Sequence, residues 1–216
     1  MAKTESEAKL VQYLSEAYSK EKELETALEA HIGLATRATY KKRLQQHLQE
    51  TKRHGRDVER RIKQLGGDGT AELAATVQAT AAKALALAQG PLHAVRGTGE
   101  AERQLKNAKT EYANEAEEIA TYTAIEALAE SVGDRDTAQL ARAIRRDEER
   151  MGSFLERLIP QLTRAVAQAE IPASQRRSTS RRRRSSTRSR SRSRSAGSRS
   201  NSGGARGRRK ASASSR

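Results

Sequence analysis

The sequence predicts an all-α fold, a bundle of four long helices followed by a disordered basic tail, and three observations carry that prediction. Apolar residues recur at three- and four-residue spacings along four long segments. Strand formers are scarce, with one Phe, five Tyr and no Trp in 216 residues, and only three Pro interrupt a chain rich in Ala, Glu, Leu, Gln, Lys and Arg. From Ile171 onward the apolar periodicity stops, and 16 Arg or Lys stand there without a single Asp or Glu.

The first segment sets Leu10, Leu14, Ala17, Leu24, Leu28 and Ile32 on one helical face, and Thr4 with Glu7 forms a capping box at its start. A second helix, about 37–65 with Thr36 as N-cap, aligns Tyr40, Leu44, Leu48, Val58, Ile62 and Leu65 and stops at Gly66 and Gly67. The link at 34–36 is so short that these two helices must be antiparallel neighbours. Residues 66–100 make a long crossover holding a short Ala-rich helix, about 70–89, between glycines and Gly90-Pro91. A third long helix, about 100–132, carries Leu105, Ala108, Tyr112, Ile119, Tyr122, Ile125 and Leu128 and ends at Gly133. Asp134 or Asp136 caps a fourth, about 137–158, with Leu140, Ile144, Met151, Leu155 and Leu158, and Pro160 kinks or ends it. Two antiparallel hairpins joined by one crossover give a bundle over 1–170 and a tail over 171–216. Tyr18, Tyr112 and Tyr122 read as core.

The net charge of +15 belongs to the tail, since residues 1–170 hold 26 basic against 27 acidic side chains. Absence of Cys excludes disulfides and thiolate ligands and fits a reducing cytoplasm. No run approaches the roughly 18 apolar residues of a membrane span, and charged residues follow Met1 where a signal peptide would be apolar. The expectation is a soluble cytoplasmic protein with no membrane contact.

Each apolar stripe is interrupted near its middle by carboxylates. Glu21 falls between Leu14 and Leu24, and Glu50 between Leu44 and Val58 with His47 and His54 on the same side. Glu115 and Glu118 fall between Tyr112 and Tyr122, and Glu148 between Ile144 and Leu155. Counted from turns near Ala35 and Gly133, Glu21, Glu50, Glu118 and Glu148 all stand about 14 or 15 residues away, roughly 22 Å along the axis. One glutamate on a stripe is ordinarily a boundary residue reaching solvent, but four at matched height need protons, cationic partners or metal. Bundles of this kind hold two metal ions on a Glu from each of two helices and a Glu-x-x-His from each of the others.

With these residues in place the chain resembles the ferritin-like superfamily and, within it, the bacterial YciE/YciF-like branch, associated with stress responses and largely of undefined function. The resemblance covers about residues 8–166. It rests on Leu10-Val-Gln-Tyr-Leu14 through Lys20-Glu-Lys-Glu-Leu24, on His47-Leu-Gln-Glu-Thr-Lys-Arg-His54, on Glu115-Ala-Glu-Glu-Ile-Ala-Thr-Tyr122 and on Asp147-Glu-Glu-Arg150. It implies a site for Fe or Mn with Glu21, Glu50, His54, Glu115, Glu118 and Glu148 as ligands. His47, like His31, reads as a packed or exposed side chain. The pattern departs from the di-iron one: Glu50 and His54 are four apart, Glu118 stands where a histidine would follow Glu115, and Glu148 is followed at three by Met151. Metal binding is expected and redox catalysis is not.

The tail begins its charge at Arg176 and Arg177 and continues with Arg181, Arg182, Arg183 and Arg184. Arg188, Arg190, Arg192 and Arg194 alternate with Ser, and Arg199, Arg206, Arg208, Arg209 and Lys210 follow. Uncompensated like charge and low hydrophobicity keep such a segment from burying a core. Its Arg residues suit phosphate, giving sequence-independent affinity that falls with salt, and DNA is favoured over RNA as the partner. The reading that follows is a DNA-associated stress-protection protein: a metal-binding bundle anchored on the nucleoid by its tail, with a homodimer doubling the arms. The rival readings are a structural nucleoid or RNA-binding protein whose bundle only dimerises, and a ferroxidase or peroxide-consuming enzyme.

Overall fold

The computed structural model describes residues 4–67 and 99–176, and within them four helices and no strand. These are α1 (Glu5–Leu34), α2 (Ala38–Gln64), α3 (Glu100–Ser131) and α4 (Arg135–Glu170). The chain divides into two units, residues 1–171 and 172–216, and the described part of the second is a single 3₁₀ turn at Ala173–Gln175. The short crossover helix expected at about 70–89 and nearly all of the tail lie outside the described residues.

Local chemistry sets the ends. The capping box at α1 is formed, with Thr4 N donating to Glu7 Oε2 at 2.8 Å and Glu7 N to Thr4 Oγ1 at 3.2 Å. Asp134 caps α4 by accepting from Thr137 N, and Gly133 takes φ +78°, which turns the chain from α3 into α4. Two expectations are corrected. Arg37, with no side-chain cap bond, is the N-cap of α2, and the Thr36 hydroxyl instead donates 2.6 Å to Glu100 Oε1. Pro160 does not end α4, which runs ten residues further to Glu170. Pro160 is on the exposed face, where the carbonyl it leaves free is open to water, and Leu162 beyond it is buried.

α1 packs along α2, α3 along α4, α1 against α3 and α2 against α4. Neighbours are antiparallel: His31 meets Glu111 where Glu21 meets Tyr122, and Arg61 meets Asp134 where His54 meets Asp147. α3 starts beside the α1–α2 turn, where Gln104 Nε2 donates to Leu34 O at 2.7 Å, while α2 ends beside the α3–α4 turn. α2 thus ends and α3 begins at opposite ends of the bundle, as a single-crossover topology requires.

The apolar core is in two halves. Leu10, Leu14, Val58, Ile62, Ile125 and Ile144 belong to one, and Leu28, Tyr40, Leu44, Met151, Leu155 and Leu162 to the other. Along both halves the buried face of α3 is largely polar: Gln104, Asn107, Glu111, Glu115, Glu118 and Tyr122 are all 3% exposed or less. This displaces Tyr112, expected in the core, to 40% exposure.

Candidate metal centre

The polar layer gathers one face from each helix. Glu21 comes from α1, His47 and His54 from α2, Glu115 and Glu118 from α3, and Glu148 from α4, and none is more than 1% exposed. Their ligand atoms converge in two groups, each within 4.8 Å: His47 with Glu115, Glu118 and Glu148, and Glu21 with His54 and Glu148. Glu148 is common to both. His54 Nδ1 stands 2.9 Å from Glu148 Oε1 and 3.7 Å from Glu21 Oε1, and His47 Nε2 stands 3.1 Å from Glu115 Oε1 and 3.4 Å from Glu148 Oε2.

Eight buried atoms of these six residues have no aligned hydrogen-bond partner: Glu21 Oε2, His47 Nε2, His54 Nδ1, Glu115 Oε2 and both carboxylate oxygens of Glu118 and Glu148. Leaving a buried polar atom unpaired costs about 1–3 kcal/mol, more when charged, so these groups call for shared protons or a bound cation. The donor set, imidazole nitrogen with carboxylate oxygen, suits Fe²⁺, Mn²⁺ or Zn²⁺. Four carboxylates with two neutral imidazoles carry the charge that two divalent cations cancel.

Each histidine is oriented by a carboxylate on its outer nitrogen, as metal-binding imidazoles ordinarily are. Glu50 Oε2 stands 3.1 Å from His47 Nδ1, and Asp147 Oδ2 stands 3.0 Å from His54 Nε2. Both carboxylates are in turn held by arginine: Arg43 Nη1 donates 2.9 Å to Glu50, and Arg53 and Arg150 pair with Asp147. On the α1 side the Tyr122 hydroxyl donates 2.5 Å to Glu21 Oε1.

The protonation pattern follows from burial and crowding. Burial pushes Glu21 and Glu115 up to about 8, with Glu148 adding repulsion and the histidines opposing it. Glu118 is driven well above the carboxylate range by burial and by Glu21, Glu148 and Glu115. Burial works against ionising Glu148 too, but the facing His54 and His47 rings hold it below its ordinary value. Burial alone would lower His47, yet Glu115 and Glu50 push it up to about 10. Without cations the layer therefore shares protons among its carboxylates.

Of the residues expected as ligands, Glu21, His54, Glu115, Glu118 and Glu148 are brought together, and Glu50 stands outside both groups. Glu50 follows one turn behind His47 at the edge of α2 and is bonded to Arg43 and Gln46. His47 takes the inner position. The signal for it was the α2 stripe itself: the buried positions 44, 47, 51, 54 and 58 are centred on Thr51, and Glu50 is rotated from that centre by about 100°.

Residues 5–168 match the family described as a domain of unknown function, DUF892. The chain belongs to this family. Among solved structures a Xanthomonas campestris protein is 29% identical, with a TM-score of 0.60 over 77% of this chain and 99% of its own. The YcfI protein of Rhodopseudomonas palustris (22%, TM-score 0.58, 71% and 94% covered) and the E. coli stress protein YciF (19%, 0.59, 74% and 98%) share the fold. A comparison with curated proteins finds no match. All six inward-facing residues of the layer fall within the matched DUF892 span, and no helix among the described residues is long and apolar enough to cross a membrane.

Proposed function

We propose that this DUF892 bundle binds a pair of divalent cations, Fe²⁺ or Mn²⁺, in its mid-bundle layer and serves as a metal-sequestering stress-protection protein, held on nucleic acid by its Arg/Ser tail. The observation that carries the metal reading is the convergence of buried imidazole and carboxylate groups from four helices, eight of whose atoms lack an aligned hydrogen bond. Glu148, common to both groups, would serve both ions, with Glu21 and His54 holding one and His47, Glu115 and Glu118 the other. A divalent cation held there would be withheld from free solution. The stress role takes its direction from the E. coli neighbour, and the nucleic-acid role from the tail sequence.

Calorimetry of the full chain with Mn²⁺ tests this. The expected result is two ions per chain, with Glu148→Ala losing the paired binding because both ions share that carboxylate. Absence of stoichiometric binding by the unmutated protein overturns the proposal.

A further inference from the structure

Buried ligands need a way in. Among the surface depressions that border the described bundle, three differ in charge and in distance from the centre. One, between α2 and α4, is lined by Arg43, Arg146, Arg150 and Arg157 with Glu149 alone against them, a balance that repels a cation. A second, at the α1–α2 turn, reaches inward only to Gln104, eleven residues along α3 from Glu115 and so roughly 16 Å away. The third, about 200 Å³ between α3 and α4, is lined by Glu156 and by Glu149, the latter paired with Arg145, and has the buried Glu115 itself as part of its wall. Glu115 Oε2 is one of the unpartnered atoms.

Gly152 lies in the same wall, in the interior of α4 and one turn beyond Glu148. Glycine in a helix interior is destabilising relative to alanine. Packing does not demand it here, because a Cβ at 152 would stand 3.8 Å from both Glu115 Cβ and Ile119 Cδ1, an ordinary contact. What the missing side chain does is thin the wall between the cleft and Glu115, which is itself 1% exposed.

We propose that the cleft over Gly152 is the port by which divalent cations reach the buried layer, with Glu149 and Glu156 gathering the ion at the mouth and Glu115 receiving it. The inference rests on the metal-centre reading above. Acidic groups at the mouth raise the local cation concentration and make loading fast and salt-dependent. The thinned helix wall limits how far α3 and α4 must part for an ion to pass.

The test is the rate at which the full chain takes up Co²⁺, followed by its visible absorbance in a stopped-flow instrument. Gly152→Met, which fills the cleft, is expected to slow uptake about tenfold or more with the final stoichiometry unchanged, since loading would then await a helix movement. Gly152→Ala should load near the normal rate. Glu149→Gln with Glu156→Gln should slow uptake severalfold and flatten its dependence on salt. Uptake by Gly152→Met at the normal rate overturns the port and leaves the metal centre standing. If circular dichroism shows Gly152→Met misfolded, an unchanged rate and salt dependence in the double glutamine variant overturns it instead. An unmutated chain that takes up no Co²⁺ removes the metal centre, and the port with it.

Discussion

His47 stands between two carboxylates, with Nδ1 3.1 Å from Glu50 Oε2 at the helix edge and Nε2 3.1 Å from Glu115 Oε1 in the centre. Glu50 is 14% exposed at its side chain, and although burial works against its ionisation, bonds from His47 and Arg43 bring it down to about 2. It is therefore a fixed anion that sets the ring's orientation and leaves Nε2 to bind. Glu50→Gln is expected to weaken Mn²⁺ binding about 10- to 100-fold while leaving two ions per chain, the behaviour of an orienting partner. Calorimetry giving one ion per chain for this variant would make Glu50 a ligand.

The raised carboxylates set a pH dependence. Glu21 and Glu115 keep protons up to about pH 8 in the folded chain against 4.5 for the ordinary group, so the folded state holds more protons between these values and stability falls as pH rises through them. His47 acts in the same direction, its contribution present below 6.5 and lost as pH rises through about 10. Glu50 acts oppositely but lower, its contribution present above 4.5 and lost as pH falls through about 2. With a chelator present, the melting temperature should decline from about pH 5 toward pH 9. Mn²⁺ should flatten or reverse that slope, because the metal takes the place of the protons. A chelated chain whose melting temperature climbs over that range contradicts the buried-acid account.

Much of this is legible in the sequence, and the failures have one cause. Apolar periodicity places the α1, α2 and α4 faces, because those faces bury Leu, Ile and Met. On α3 the buried face is itself polar, so the periodicity points one residue past Glu111 to Tyr112, which is exposed. Matched height selects Glu50 because it lies midway between His47 and His54, the pair that the fold turns inward. Height constrains position along the axis and not rotation about it, and one residue of rotation separates Glu50 from buried Thr51. Pro160 misleads for a similar reason, since the cost of proline in a helix depends on which face its freed carbonyl meets.

The α2 and α4 ends are tied by Asp134. Its carboxylate accepts from Thr137 N at 3.0 Å, from the Thr137 hydroxyl at 2.6 Å and from Arg61 Nη2 at 2.7 Å, one group serving as helix cap and as inter-hairpin ion pair. Asp134→Ala is expected to cost about 2 kcal/mol at neutral pH, near the upper end for a lost cap. Burial opposes ionisation of Asp134, but Arg61 and Thr137 hold it below 3.8, so its contribution is present above 3.8 and lost as pH falls. Urea unfolding at pH 7 and pH 3 should show a difference between variant and parent that shrinks at the lower pH. An equal difference at both would assign the loss to packing alone.

The tail prediction turns on where the positive charge lies. Residues 1–170 are close to neutral in sum, yet four arginines line the α2–α4 groove, so tail and groove are rival sites for phosphate. Replacing Arg181, Arg182, Arg183, Arg184, Arg188, Arg190, Arg192 and Arg194 by Gln in the full chain removes half of the 16 basic residues beyond 170. If the tail holds the DNA, duplex affinity falls at every sequence alike, and the slope of log affinity against log salt becomes shallower by about 0.9 for each phosphate no longer neutralised. Uniformity across sequences follows because contacts from arginine to phosphate carry no sequence information. A slope unchanged by the eight replacements would move phosphate binding to Arg43, Arg146, Arg150 and Arg157, beside Asp147 and the outer edge of the metal layer, where phosphate and cation binding would no longer be independent.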